Sequence, residues 1–234
     1  MKFMLIDIPR EDAFTLARKT HAATSMDAGY QVKTVLAEAS IPLRPWRFLA
    51  SDPMSYRICG AVDGDVETSA LTNLGGSVCA TADWEPENGM IELDLHVTPQ
   101  LQCRFRDVPG DRDLPRRSRL FDAAVGSHDR SAAYRDWVAN KIQPASAGIE
   151  IDGDIQIAFV RDVRVPRKFE DRRVKLVMIP SCRARFKANV TDLALFRNTV
   201  SGGIGRQRAF GFGSLIPRTV LSSLASHGGF ADAA

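Results

Sequence analysis

The hydrophobic pattern begins with a strand. Residues 3–8 (FMLIDI) are almost continuously apolar, and Pro9-Arg10-Glu11-Asp12 then opens a helical pattern with Phe14, Leu16 and Ala17 as its apolar positions. After Asp27, the residues Tyr30, Val32, Val35, Leu36 and Ala39 recur at three-to-four spacing. That spacing predicts a second helical stretch, broken between Ser40 and Pro45. Extended runs at 46–50 and 55–62 flank Ser51-Asp52-Pro53, a turn signal. Residues 66–74 read as a short helix, and residues 91–97 (IELDLHV) alternate as a strand does. Strand, helix, strand, strand, helix, strand is the ferredoxin-like βαββαβ order, also used by RRM domains.

Pro99 is a natural junction, and the alternation over 101–106 (LQCRFR) predicts that a new sheet starts there. Residues 107–119 mix proline, glycine and both charge signs, which predicts a mobile loop with a basic tip at Arg116, Arg117 and Arg119. An amphipathic helix over 130–142 carries Tyr134, Trp137 and Val138. A strand follows over 155–165, then extended pieces at 174–179 and 183–188 separated by a turn at Pro180-Ser181. Thr191 or Asp192 caps a helix reaching about Val200, with Leu193, Leu195 and Phe196 for its core. Residues 212–217 form the last strand. The second half thus repeats the first. The expected fold is α+β, two tandem ferredoxin-like (RRM-like) domains at 1–98 and 99–220, with 221–234 a flexible tail.

Composition narrows the class. With 234 residues, 44% hydrophobic and 25% charged, the chain supports a folded core. No apolar run reaches the ~18 residues of a membrane span. The opening MKFMLIDIPRED turns acidic too soon for a signal core, so a cytoplasmic location and no membrane partner are expected. Cys59, Cys79, Cys103 and Cys182 show no CxxC spacing and no nearby histidine, so they read as reduced thiols, and neither metal nor cofactor is expected. Net charge is only +3 but is unevenly spread. Residues 1–100 hold 8 Lys+Arg against 14 Asp+Glu, and residues 101–234 hold 23 against 14. Between Arg161 and Lys187 the count is 10 basic to 3 acidic, which suggests a polyanion bound mainly by the second half. A solvated basic face without a partner is the plain alternative.

The segment GGIGRQRAFGFG holds five glycines in twelve residues, Gly202, Gly203, Gly205, Gly211 and Gly213, which permit positive φ and close backbone approach. Arg206 and Arg208 supply phosphate-binding forks in the same loop. A dinucleotide loop follows a strand and opens a helix, whereas this one follows a helix and opens a strand. With the residues that follow it, GGIGRQRAFGFGSLIP resembles the C-terminal glycine-rich loop of the CRISPR repeat-processing endoribonucleases of the CasE type, in the RAMP superfamily. MDAGYQVKTVLAEASIPLRPWRFLAS resembles that family's segment in which a Tyr-x-x-His helix leads to a proline-bearing turn and a strand.

The resemblance implies a metal-independent endoribonuclease. It would bind the hairpin of CRISPR repeat RNA, cleave precursor RNA at the 3′ base by 2′-hydroxyl attack, and leave a 2′,3′-cyclic phosphate. It would then stay on the mature RNA hairpin beside other subunits of an effector complex. Arg161, Arg164, Arg167, Lys168, Arg172, Arg173 and Lys175 would contact the duplex, which suits A-form RNA read by shape and backbone. Gly203, Gly205, Arg206, Arg208, Gly211 and Gly213 would contact it from the loop. Arg44 and Arg47, flanking the Pro42–Pro45 turn, would meet the scissile phosphate.

The sequence keeps the tyrosine, Tyr30, but has Lys33 where the histidine is expected. An unperturbed lysine, at ~10.4, does not act as a base near pH 7. Burial or neighbouring arginines could make Lys33 a base, it could act charged as acid or stabiliser, or it could be an ordinary exposed lysine. His21, with Arg18 three residues before it on one helical face, is the other candidate for the missing imidazole. Two further readings stand beside the enzyme. One is a catalytically inactive subunit that only binds the repeat. The other is a small-molecule enzyme holding a nucleotide in the glycine loop, although no Walker lysine and no acidic ligand cluster accompanies it.

Overall fold

The computed structural model describes residues 1–21, 26–51, 53–104, 118–168 and 174–228. The first sheet runs β2-β3-β1-β4, from β1 (Lys2–Pro9), β2 (Trp46–Ser51), β3 (Ser55–Val62) and β4 (Ser77–Asp83), with every neighbour antiparallel. Its helices are α1 (Arg10–His21), α2 (Ala28–Glu38) and the short α3 (Ser69–Asn73). The near-unbroken hydrophobicity of β1 has a physical cause, because both faces of the strand are buried. Met4, Ile6 and Ile8 pack with Ala13, Val32 and Val35 of the helices, while Phe3 and Leu5 face a second core.

The second sheet runs β10-β5-β9-β8, again antiparallel throughout, from β5 (Gly89–Val97), β8 (Ile149–Lys168), β9 (Val174–Val190) and β10 (Ser214–Pro217). Each sheet therefore places its fourth strand beside its first and its third strand next, the ferredoxin-like order. Between β5 and β8 lie the two-stranded hairpin β6 (Gln100–Arg104) and β7 (Ser118–Asp122), then α4 (Arg130–Lys141) and α5 (Pro144–Ala147). Following β9 come α6 (Leu193–Gly202), a 3-10 turn at Arg208–Phe210, β10 and α7 (Arg218–Gly228).

Several expectations are corrected. The strand at 91–97, expected in the first half, belongs to the second: β5 pairs with β9 and β10, and β4 closes the first sheet. A division at 98/99 would cut the second sheet from its own first strand. A new sheet does start over 101–104, but it is only the two-stranded sheet of β6 and β7, and 105–106 lie outside the described residues. Pro180-Ser181 is no turn: β9 passes through it, with Pro180 opposite Asp162 and Ser181 opposite Arg161. Nor is 221–228 a frayed tail; 229–234 lie outside the described residues. Val220, Leu221 and Leu224 of α7 are buried in the core that also holds Phe3 and Leu5 of β1 and Leu93 and Leu95 of β5. The C-terminal helix thus joins the two sheets through one shared core. Among the described residues, no helix is long and apolar enough to cross a membrane.

Candidate functional site

The site is assembled from opposite ends of the chain. Asp27 caps α2, its carboxylate accepting the Tyr30 N–H at 2.7 Å. Burial pushes that carboxyl up, against the lowering effect of the Tyr30 and Gly29 N–H groups. Gln31, Val32, Val35 and Leu36 turn inward, while Tyr30 and Lys33, one turn apart, remain half-buried. The glycine-rich loop returns to this helix. The Phe210 ring lies 6.1 Å from the Tyr30 ring, and the Lys33 Nζ sits 5.5 Å from the Tyr30 centroid and 5.1 Å from that of Phe210. A Cβ on Gly29 would approach the Phe210 carbonyl to 3.1 Å, so α2 is bare where the loop rests on it. Beside Phe210, the exposed Arg44 and Arg208 line a groove of about 430 Å³, and Arg208 donates to the Gly202 carbonyl. Arg206 is exposed on the same loop. Arg18 is exposed on α1, which packs along α2, and His21 is the last residue of α1, its side chain outside the described residues.

The loop glycines do something other than expected. Gly211 and Gly213 are buried, with φ of 89° and 82°. A Cβ on Gly211 would reach the Trp46 ring at 2.8 Å, and one on Gly213 the Ile204 carbonyl at 2.7 Å. Gly203 packs against Pro45 and the Gly213 carbonyl; exposed Gly205 lies against Trp137. Gly203, Gly211 and Gly213 therefore fold the loop onto the protein rather than opening it to RNA. Gly213→Ala is expected to destabilise the protein by about 1–3 kcal/mol, through strain at positive φ plus the clash, which urea denaturation would measure.

Behind the loop lies a buried charge cluster. Arg47 of β2 is 2% exposed and donates to Asp94 of β5, itself fully buried, at 2.5 Å. Arg183 of β9 donates to both Asp94 oxygens at 2.8 Å, and Arg185 Nε lies 3.2 Å from Oδ2. Burial raises the Asp94 carboxyl, but Arg47 and Arg183 outweigh it and hold it at about 2. Arg47 is thereby removed from the RNA-contacting set: it joins the two sheets and does not reach a scissile phosphate.

His96, two residues along, is 6% exposed, its Nε2 2.9 Å from Ser181 Oγ and its ring 5.0 Å from Phe212. Burial and then the positive charge of Arg47 and Arg161 bring it down to about 3. An unfolded histidine protonates near 6.5, so folding stability is full above that pH and falls as pH drops toward 3. His96→Gln is expected to remove about 1.4 kcal/mol per pH unit from that slope, as urea titrations between pH 6.5 and 4 would show. Asp94 and His96 carried a signal in the sequence: polar residues inside IELDLHV mark a solvent face or a partnered buried one, and only the fold decides between them.

The basic stretch forms a ribbon. β9 pairs with β5 only from Val190 to Cys182, whereas β8 and β9 stay paired to Lys168↔Val174. The ribbon extends past the sheet with Arg161 and Arg164 exposed, together with Leu176 at 69% and Met178 at 52%. Its base is tied to α4, where Arg130 bonds Asp162, Asp122 and the Tyr134 hydroxyl. Arg167, Lys168 and Lys175 lie on the ribbon and Arg119 on β7 by their backbones, with side chains outside the described residues. Arg116, Arg117, Arg172 and Arg173 lie outside the described residues altogether.

A family model described as CRISPR associated protein matches residues 96–216, just over half of the chain. No curated protein matches. Among solved structures, the chain is similar to a CRISPR endoribonuclease Cse3 bound to a 19-nucleotide RNA, at 15% identity and a TM-score of 0.61, covering 92% of this chain and 99% of that one. It is similar to Thermus thermophilus Cse3 bound to an RNA representing a pre-cleavage complex, at 14% identity and a TM-score of 0.58, with 93% and 99% covered. A chain of a CRISPR RNA-guided surveillance complex, pre-nicking, matches at 15% identity and a TM-score of 0.56, with the same coverage. Identities this low establish a shared fold. The family match over the sheet, the ribbon and the glycine loop establishes more: the chain belongs to the CRISPR-associated protein family.

Proposed function

We propose that this protein is a CRISPR RNA endoribonuclease that binds the hairpin of the repeat, cuts at its 3′ base without a metal, and remains on the product within an effector complex. The observation that carries the reading is the meeting of Tyr30 and Lys33 with Phe210, beside the exposed Arg44 and Arg208. It brings the two sequence segments of the family resemblance to one place. The structures with the same fold are described as bound to RNA or as part of an RNA-guided complex, which supports the same ligand here.

In the proposed reaction, the ribose 2′-oxygen attacks the adjacent phosphorus, forming the new P–O2′ bond. The P–O5′ bond breaks, leaving a 2′,3′-cyclic phosphate and a 5′-hydroxyl. Lys33 stabilises charge on the phosphorane and supplies the proton to the 5′-oxygen. Tyr30 orients the phosphate, with Arg44 and Arg208 as charge-assisted donors. His21, ending the helix beside α2, is the candidate to take the 2′-proton, with Arg18 near it. The ribbon carries the duplex contacts through Arg161 and Arg164.

The substitution of lysine for the family's histidine also favours a second reading, an inactive subunit that binds the repeat without cutting it. One experiment separates the two. The purified protein is incubated in EDTA with its repeat RNA, or with RNA carrying a 2′-deoxyribose at the scission site. Cleavage of the first alone supports the nuclease. Tight binding with neither RNA cut overturns it and leaves the binding subunit.

A further inference from the structure

Phe210, which lines the groove of Arg44 and Arg208, also lines a cleft of about 600 Å³ between the first helices and the ribbon. We infer that this cleft takes one unpaired nucleobase of the bound RNA, next to the scissile phosphate. The inference rests on the RNA-processing reading above.

The walls of the cleft are aromatic. Phe48 of β2, Tyr56 of β3, Phe210 and Phe212 all line it. Phe48 and Phe210 are the half-buried rings that a base can stack on, whereas Tyr56 and Phe212 are buried and support them, Tyr56 meeting Phe48 edge to face at 5.7 Å. Its floor is His96, held uncharged at neutral pH by burial, so it presents an imidazole rather than a cation. Around the rim, Arg10, Arg161 and Arg164 outnumber Asp27 and Asp162, and Asp162 is already paired with Arg130. The Arg10 guanidinium lies 4.7 Å above the Tyr56 ring, and exposed Arg161 lies 5.3 Å from the Phe159 ring. Flat apolar walls beneath a basic rim match a nucleotide: base inside, phosphate outside. The volume is in the range of small-ligand sites and exceeds what a single base requires.

Phe210 fixes where in the RNA that nucleotide lies. The same side chain touches the Lys33–Tyr30 pair and lines the cleft, so a strand whose phosphate sits at Lys33 has its neighbouring base within one nucleotide's reach of the opening. A paired base stays in its stack, whereas an unpaired base at the foot of a hairpin swings out at low cost. The cleft would thus read the junction between stem and single strand, setting the cut at the base of the hairpin.

The test uses the full-length protein and repeat RNAs carrying 2-aminopurine at one position at a time, within three nucleotides of the cut on either side. A dye at the distant RNA end reports binding by anisotropy. The expected result is threefold or greater quenching at one unpaired position only. Phe48→Leu and Arg10→Gln should relieve that quenching while anisotropy still reports binding. Two variants on different elements guard against misfolding of one. Full binding with no position quenched, or quenching unchanged in both variants, would overturn the inference and leave the RNA-processing reading intact. Absence of binding would overturn that reading and this inference with it.

Discussion

Lys33→Ala is expected to slow repeat cleavage by about 10³-fold while weakening RNA binding by less than about threefold, measured by single-turnover kinetics and anisotropy. The asymmetry follows from where charge develops. In the proposed reaction the ground-state phosphodiester already carries its negative charge, which the exposed arginines of the loop and ribbon would share. The phosphorane and the departing 5′-oxygen gain charge only during reaction, close to one ammonium. Lys33 is suited to that task because its Nζ stands beside two rings, 5.5 Å from the Tyr30 centroid and 5.1 Å from that of Phe210. Lys33→His restores the residue the family resemblance calls for. It should retain measurable activity with a rate that depends on pH around the imidazole value near 6.5. Full activity in Lys33→Ala would remove the lysine from the mechanism and turn attention to His21.

Much of this arrangement was readable before any coordinates. The strand at 3–8, the helix after Asp27, a cap at Thr191 or Asp192 (Asp192 in the structure) and the doubled βαββαβ order rest on local periodicity and capping, which a sequence displays directly. What escaped notice depends on long-range packing. β4 (SVCATAD) is short and weakly hydrophobic, so the stronger pattern at 91–97 took its place in the first half. Arg47 has the sequence signature of an RNA contact, being cationic and flanking a turn. Its burial is decided by Asp94, 47 positions away. Gly211 and Gly213 looked like openings for a ligand, whereas Trp46 and Ile204 occupy the space that their missing side chains leave. Phe210 carries no distinguishing signal in the sequence, one aromatic among glycines, yet it is the side chain that packs on Tyr30 and lines the cleft.

Asp94→Ala is expected to cost about 3–5 kcal/mol of stability, because it leaves the Arg47 guanidinium buried without its counter-ion. The same loss lowers the melting temperature by roughly 10 °C in a chain of this size. Arg183 and Arg185, at 12% and 16% exposure, can turn toward water; Arg47, at 2%, cannot. Replacing both members by apolar residues, Arg47→Met with Asp94→Leu, should therefore recover most of the loss, a non-additivity that a double-mutant cycle measures directly. The pH dependence has a definite sign. The Asp94 carboxyl is held at about 2, below an unfolded value near 3.9. Its stabilisation is fully present above the unfolded value and disappears as pH falls through about 2. The difference between wild type and Asp94→Asn should then be largest near neutrality and shrink below pH 4. A larger effect is expected on function than on folding. The Gly213 N–H donates to the His96 carbonyl at 2.6 Å, so the glycine loop hangs from the strand that Asp94 fixes to Arg47 of the first sheet. Loosening that connection moves Phe210 relative to Lys33. Cleavage by Asp94→Asn should consequently fall further than its folded fraction does. If the two fell in proportion, Asp94 would contribute stability alone and would not position the loop.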